Sequence, residues 1–175
     1  MTDLDEQYGP VIPPQNGLKA WERSEQLLRY ELNQSSARQL SNLIATAAEG
    51  GMLLTVALAV TVIWMIADDG SLLFALEETI VEGGTSRRPR MRGMPLNGSV
   101  KPLGHPLLVD GAGGRIAGEL HLDRVSDEAL IWVLNNRSGR YGIHESRTHM
   151  HLDNVAELLL RYGIEVETEF FEVTT

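Results

Sequence analysis

Residues 52–67 read MLLTVALAVTVIWMIA, and this uncharged run decides which fold the chain can form. Large side chains alternate with small ones, from Val56 to Ile66, and the centre of the run is rich in β-branched residues, which favours a strand. The following DDGS and LLFALEETIVE predict a hairpin over about 52–82, because a D-G step between apolar runs is a strong turn signal. A buried helix is the second interpretation, and a membrane span, which needs about 20 residues, is the least favoured.

Two amphipathic segments precede this run and predict an N-terminal helical pair. Residues 17–33 place Leu18, Trp21, Leu28 and Leu32 near one face. In the next segment, Ser35 or Ser36 is expected to cap a helix that Gly50 and Gly51 end. Residues 1–16 are acidic and Pro-rich, and we interpret them as an irregular arm.

The second half of the chain begins with a basic loop at 83–106, punctuated throughout by Gly and Pro. Strands are predicted at 106–110, 115–123 and 128–136, and an amphipathic helix at about 149–162 begins after Thr148 and ends at Gly163. Alternating residues in 164–173 predict a C-terminal strand. Helices first, then strands with one late helix, indicate a single α+β domain over 17–175 with a mainly antiparallel sheet.

The composition limits the classes of function. The chain has 175 residues, no cysteine and a formal net charge of −9. Thiol chemistry and Cys-based metal sites are therefore excluded, and nucleic-acid binding is disfavoured. No segment looks like a signal peptide, so we expect a cytoplasmic protein, with signal-independent export left open.

The polar stretch NNRSGRY (135–141) is the main candidate binding site. Two glycines allow a tight turn from which Ser138, Arg140 and Tyr141 would project, after Asn135 and Asn136 at a strand end. Arg suits a phosphate or carboxylate, and Tyr offers a ring face, so the predicted ligand is anionic and nucleotide-like. The alternative is a structural turn whose side chains serve the backbone and surface ion pairs.

Acid–base candidates are His105, His144 and the carboxylates Glu119 and Glu145. A metal site is disfavoured because His149 and His151 diverge in the first turn of a helix. The sequence indicates no particular cofactor. The basic loop carries five cations and no acid, and it is either a flap over an anionic ligand, a surface for an acidic partner, or a mobile segment. The cations are Arg87, Arg88, Arg90, Arg92 and Lys101.

Residues 103–166 resemble an uncharacterised bacterial module with an SGHY turn, which is also similar to the C-terminal part of plant IQ-motif calmodulin-binding proteins. The segments that carry the resemblance are GHPLLVDGAGGRIAGELHLD, WVLNNRSGRYG and RTHMHLDNVAELLLRYGIEV. His105 matches the first His of the module, but Pro106 and Leu107 stand in place of its serines, and Arg140 stands in place of the His of the turn. The resemblance implies that the His105 segment and the SGRY turn meet in space, and it implies no established reaction.

Two functions from different classes follow. The first is a protein, such as an effector or toxin of transferase or hydrolase type, that binds or acts on an anionic nucleotide-like ligand. The second is an acidic interaction protein, such as an inhibitor or immunity partner, whose Glu165, Glu167 and Glu169 face a basic protein. A membrane-associated protein is a third and less favoured reading, and the oligomeric state stays open.

Overall fold

The computed structural model describes residues 2–81, 84, 86–93, 95–125 and 129–173; the remaining positions, which include parts of the predicted hairpin, loop and third strand, lie outside the described residues. Within them the helices are α1 (Asp3–Tyr8), α2 (Gln34–Ala48), α3 (Gly51–Ala59) and α4 (His149–Arg161), with 3₁₀ turns at Ala20–Glu22 and His105–Val109. The strands are β1 (Tyr30–Glu31), β2 (Val62–Ala67), β3 (Leu72–Leu76), β4 (Glu78–Val81), β5 (Arg87–Pro89), β6 (Val100–Leu103), β7 (Gly114–Arg124), β8 (Leu130–Asn135) and β9 (Val166–Glu169).

The strands form two sheets, and the predicted α+β class is confirmed. The main sheet has the order β1-β3-β2-β7-β8-β9 and the smaller one β5-β4-β6. All neighbours are antiparallel except β8 and β9, which run parallel because α4 connects them. The late helix and the C-terminal strand are where the sequence predicts them.

One face of the main sheet is covered by helices. Alternate residues of β2 and β7, including Trp64, Ile116 and Leu122, form the core with Leu40 of α2 and Leu152 of α4. Burial of these side chains is the main source of stability in a chain without disulfides. Thr148 caps the start of helix α4, and its backbone N–H donates to Nδ1 of His151 at 3.1 Å.

The opposite face of the main sheet is only partly covered. A second core contains Ile63, Met65, Ala117 and Tyr141, packed against the His105–Val109 turn and the smaller sheet. The packing that covers this face of the main sheet ends at Ala117. Farther along β7, the side chains on the same face open into a cleft.

The prediction of a strand over the whole of 52–67 is wrong for its first half, which forms α3. The composition changes near residue 60: six of the nine residues of α3 are Leu, Met or Ala, which favour helices, whereas Val60, Thr61, Val62 and Ile63 are all β-branched. Gly50 and Gly51, with φ of 86° and 65°, let α3 turn back onto α2. The hairpin itself lies between β2 and β3, with Gly70 in its turn.

The predicted helix over 17–33 is also wrong, so the helical pair is α2 and α3. Leu27 packs in the second core and Leu32 in the first, whereas Leu28 is 72% exposed, so this segment cannot present a single apolar stripe. The cap of α2 is Asn33 rather than a serine. Its Oδ1 accepts from Ser35 N and Ser36 N at 2.9 and 3.1 Å.

The segment predicted as a long loop, 83–106, contributes β5 and β6 to the smaller sheet. The strand predicted at 106–110 is instead the 3₁₀ turn His105–Val109. Pro106 at its start lacks the N–H that a strand ladder needs, and Asp110, with φ of 52°, ends the turn.

Two buried arginines fasten the N-terminal arm to the sheet. Arg115 donates to Asp5 Oδ1 at 2.7 Å and to Gly9 O at 2.8 Å, and this contact lowers the pKa of Asp5 to about 2. Arg147 donates to Pro10 O, Tyr141 O and Arg115 O at 2.9–3.0 Å. Helix α1 therefore lies in the region predicted as irregular and packs beside α4.

Candidate functional site

A polar cleft of about 950 Å³ opens on the uncovered part of the main sheet, and we call it the sheet cleft. The floor comes from alternate positions of β7 and β8 and from the end of β9. The opposite wall comes from Glu77, between β3 and β4, and from the segment after β5. The cleft is lined by Thr61, Glu77, Arg90, Arg92, Gly93, Pro95, Glu119, His121, Asp123, Val133, Asn135, Arg137, Glu169 and Phe171.

The position of each floor residue follows from the strand register. Glu119 and His121 are two apart on β7 and therefore share a face. Glu119 lies opposite Ile63 on β2, and His121 lies opposite Val133 on β8. The sheet thus places an acid and an imidazole side by side at the bottom of the cleft.

Glu77 and Glu119 are the two partly or wholly buried carboxyl groups of the cleft. Glu77 forms an ion pair with Arg90 at 2.5 Å, yet burial raises its pKa above the ordinary value. Burial also raises the pKa of Glu119, and the nearby charge of Glu77 raises it further, against the lowering effects of Arg137, Arg90 and Asn135. Two carboxyls with raised pKa values in one concave site are groups suited to proton transfer.

His121 is 8% exposed, and its pKa is lowered, first by burial and then by the charges of Arg92 and Arg137, which outweigh Asp123. The imidazole is therefore neutral near pH 7. A neutral ring can accept a proton through one nitrogen while it donates through the other.

The arginines of the cleft differ in how they are held. Arg90 is paired with Glu77. Arg92 donates to Leu122 O at 2.9 Å and lies 3.9 Å from Asp123. Arg137 lies over the ring of Phe171 at 5.6 Å, and no carboxylate or carbonyl among the described residues accepts from its guanidinium. Arg137 is thus the cation most available to an incoming anion.

The backbone of β7 and the backbone at the end of β8 are in close contact next to these residues. A Cβ atom at Gly118 would overlap the carbonyl oxygen of Asn135, and one at Gly142 would overlap the carbonyl oxygens of Ala117 and Asn136. Only glycine fits at either position. The end of β8 is therefore locked against β7 directly beside Glu119.

Four residues that the sequence predicts for a site or its flap line the sheet cleft: Glu119, Asn135, Arg90 and Arg92. The wholly buried Asn136 does not line it. The Asn136 side chain donates to Gly142 O and Phe171 O and accepts from Phe171 N at 2.6 Å, so it pins the C-terminal segment. Asn135 therefore lines the cleft, whereas the adjacent Asn136 holds the C-terminal segment in place.

The SGRY turn is built into the body of the protein. Tyr141 has no exposed surface, and its hydroxyl donates to Ala112 O at 2.9 Å, so no ring face is open for stacking. Arg140 donates to Glu22 Oε2 at 2.7 Å and to Gly17 O. The hydroxyl of Ser138 is buried and has no hydrogen-bond partner among the described residues.

His105 lies close to Arg140, with Glu22 between them. Glu22 accepts from Gly104 N at 3.3 Å through one oxygen and from Arg140 through the other. His105 Nε2 donates to Gly118 O at 2.8 Å, and burial lowers the pKa of His105 to about 4. The two segments thus meet in space, but they meet inside the protein. We call the polar side chains Glu22, His105, Arg115, Asn136, Arg140 and Arg147, which are buried except for the half-buried His105 and Arg140, the inner network.

The remaining predicted site residues lie apart from the cleft. Arg87 binds Glu25 at 2.7 Å and the backbone oxygen of Gln26, and Arg88 is exposed on β5. His144 accepts from Ser146 N at 3.1 Å and lines a smaller depression together with Glu145. The structure does not bring these residues together with Glu119.

Sequence reasoning missed Glu77 and His121 as site residues, and it did not single out Arg137 within the NNRSGRY stretch. One signal was present, since Glu119, His121 and Asp123 recur at every second position of a strand whose other face is apolar. Glu77 carried no such signal, because only the pairing of the smaller sheet brings it over β7.

Among residues 2–81, 84, 86–93, 95–125 and 129–173, no group of three or more His, Asp or Glu side chains is placed to hold a metal ion. In the same part of the chain, no helix is both long and apolar enough to cross a membrane. Comparisons with family models, curated proteins and solved structures found no match to this chain.

Proposed function

We propose that the sheet cleft binds a small anionic ligand of nucleotide-like chemistry. The observation that carries this proposal is the placement of Glu119, His121 and Arg137 around one concave space. An available guanidinium, a partly buried carboxyl and a neutral imidazole are chemically different groups, and their convergence in a cleft is a feature of ligand sites.

The chemistry of the lining favours a phosphate-bearing ligand over an apolar one. Arg137 and Arg92 offer N–H donors to an anion, while Glu119 and His121 offer acceptors to amino or hydroxyl groups. The volume of about 950 Å³ is large enough for a nucleotide. Glu119 and His121 are also the acid–base pair that a transferase or hydrolase version of this function would use.

The test is calorimetric titration with AMP, GMP, CMP, UMP, ATP and inorganic phosphate. We expect at least one nucleotide to bind, and we expect Arg137→Ala to weaken binding at least about tenfold, because it removes a charge-assisted contact. Arg124→Ala is the matched control, since Arg124 is exposed on the same strand as Glu119 but lies outside the cleft. Absence of binding by every compound, or equal binding by Arg137→Ala, would overturn the proposal.

A second candidate, recognition of a basic protein, is favoured by the edge strand β9. Within the described part of the chain, no strand pairs with its outer side, and Glu167 on β9 and Glu165 just before it are exposed. A partner strand could add to this edge, with the glutamates meeting its cations. Pull-down from lysate with the native chain and with Glu165→Lys/Glu167→Lys tests this function: a stoichiometric basic partner must be lost both in the variant and at high salt.

A further inference from the structure

Asn135 connects the two oppositely charged groups of the sheet cleft. Its side chain is 2% exposed, and its Oδ1 accepts from Glu119 N at 3.0 Å and from Arg137 N at 2.9 Å. The Asn135 side chain also lowers the pKa of the Glu119 carboxyl group, against the raising effect of burial. One buried amide therefore fixes the backbone of Glu119 and of Arg137 at once.

Glu119 and Arg137 are near one another, but no ion pair joins them in the described part of the chain. The neighbouring charges are already used: Glu77 is paired with Arg90, and Asp123 lies beside Arg92. Asn135 holds the backbone N–H groups of both residues, so the carboxylate and the guanidinium extend from fixed positions. Both groups are then open to a third molecule.

We propose that the ligand carries an anionic group and an N–H donor together, with the anion on Arg137 and the N–H on Glu119, and that Asn135 is the positioning residue that sets their separation. This inference rests on the proposed function and names the ligand class of the same cleft. An amino-bearing nucleoside monophosphate has both groups on one rigid frame.

Selectivity for the donor follows from the chemistry of the carboxylate. An ionised carboxylate only accepts hydrogen bonds, so a ligand without an N–H leaves it desolvated and unmatched. A site built for a hydrogen bond strongly rejects the analogue that lacks it. Glutamine has the same shape but offers both a donor and an acceptor, so it removes this preference.

The experiment is titration at pH 8 with two matched pairs of nucleotides. AMP and purine riboside 5′-monophosphate differ only in an exocyclic amine, and so do GMP and IMP. We expect the amine-bearing member of at least one pair to bind about tenfold more tightly to the native chain, as expected for one charge-assisted hydrogen bond. In Glu119→Gln this ratio falls to near one, whereas Arg137→Ala weakens both members equally and leaves the ratio unchanged.

Asn135→Ala distinguishes positioning from simple support of the fold. If Asn135 sets the separation, the variant loses the amine preference while phosphate-dependent binding survives. If the variant does not fold, as circular dichroism would report, the ratio in Glu119→Gln still decides the inference.

The outcomes separate the two proposals. Equal affinity within both pairs, or an amine preference that persists in Glu119→Gln, overturns the inference and leaves the proposed function standing. Failure of every nucleotide to bind overturns the proposed function itself.

Discussion

The inner network and the sheet cleft contain the same kinds of residues and put them to opposite uses. In the inner network, Arg147 meets three carbonyl oxygens and Arg140 meets the buried Glu22. In the cleft, Arg137 lies over the ring of Phe171, and among the described residues no ion pair joins Glu119 to the nearby Arg137 or Arg90. Satisfied polar groups hold the fold together, and unsatisfied ones at a concave surface are available to a ligand.

The inner network and the sheet cleft differ in the hydrogen-bond and ion-pair partners of their polar side chains, not in the types of residue they contain. Arg and Asn occur in both regions, and two adjacent asparagines divide between them. The comparison predicts that substitutions in the inner network lower the stability, while substitutions in the cleft leave the fold intact and change binding.

The largest expected effect is that of Arg147→Ala. The variant leaves Tyr141 O, Pro10 O and Arg115 O without their donor, and we expect a loss of about 4 kcal/mol in the free energy of unfolding. Urea denaturation measures the loss. The matched control is Arg38→Ala on the exposed side of α2, where we expect less than about 0.5 kcal/mol. Equal losses in the two variants would contradict the stabilising role of Arg147.

The pH dependence of stability should reveal His105. Its pKa is about 4 in the folded chain and near 6.5 when exposed. The unfolded chain therefore binds the proton first, and stability is lost as the pH falls from about 6.5 to about 4, by up to about 3 kcal/mol for this group. Denaturation at pH 7, 6 and 5 checks the slope, to which His121 and His151 also contribute because burial lowers their pKa values. His105→Gln must show a shallower slope than the native chain, and an unchanged slope would contradict the prediction.

The substitution Glu22→Gln tests the inner network with the smallest change of shape. It removes the negative charge that meets Arg140 and weakens the bonds from Lys19 N and Gly104 N. We expect a loss of about 2 kcal/mol, because the half-buried Arg140 loses its charged partner at a buried position. Thermal denaturation at pH 7 measures the effect.

The same change in the cleft, Glu119→Gln, should have the smallest effect and the opposite sign. The raised pKa of Glu119 means that its ionised form costs stability at pH 7, so the variant should be as stable as the native chain or more stable by less than about 1 kcal/mol. Glu22→Gln and Glu119→Gln make the same chemical change in the two regions, so the difference between their stabilities reports only the surroundings of each glutamate. Destabilisation by Glu119→Gln as large as that by Glu22→Gln would show that the cleft is also structural.

Much of the fold could be predicted from periodicity. Strands β7 and β8, helix α4 and the turn around Gly70 all follow from alternation, helical spacing and turn residues. The change from helix to strand near residue 60 could not be predicted in this way. The run is apolar both before and after residue 60, and apolarity does not distinguish a packed helix from a buried strand. The prediction of a helix over 17–33 was wrong because Leu27 and Leu32 pack into different cores.

Less of the candidate site could be predicted, because sequence shows which side chains are polar but not where their partners lie. Asn135 and Asn136 look equivalent, yet Asn135 contacts Glu119 while Asn136 reaches the C-terminal segment. The partner of Arg140 is 118 positions away along the chain, at Glu22. Such pairings depend on the tertiary fold, which local pattern does not encode.

The interlocked glycines Gly118 and Gly142 have a consequence for how this protein can change. Because backbone atoms and not side chains set the frame beside the cleft, the lining residues Glu119, His121 and Arg137 can be exchanged without moving the strands that carry them. The scaffold and the recognition surface are therefore separate targets for mutation. A new specificity could be reached here, in evolution or in the laboratory, by altering the lining alone.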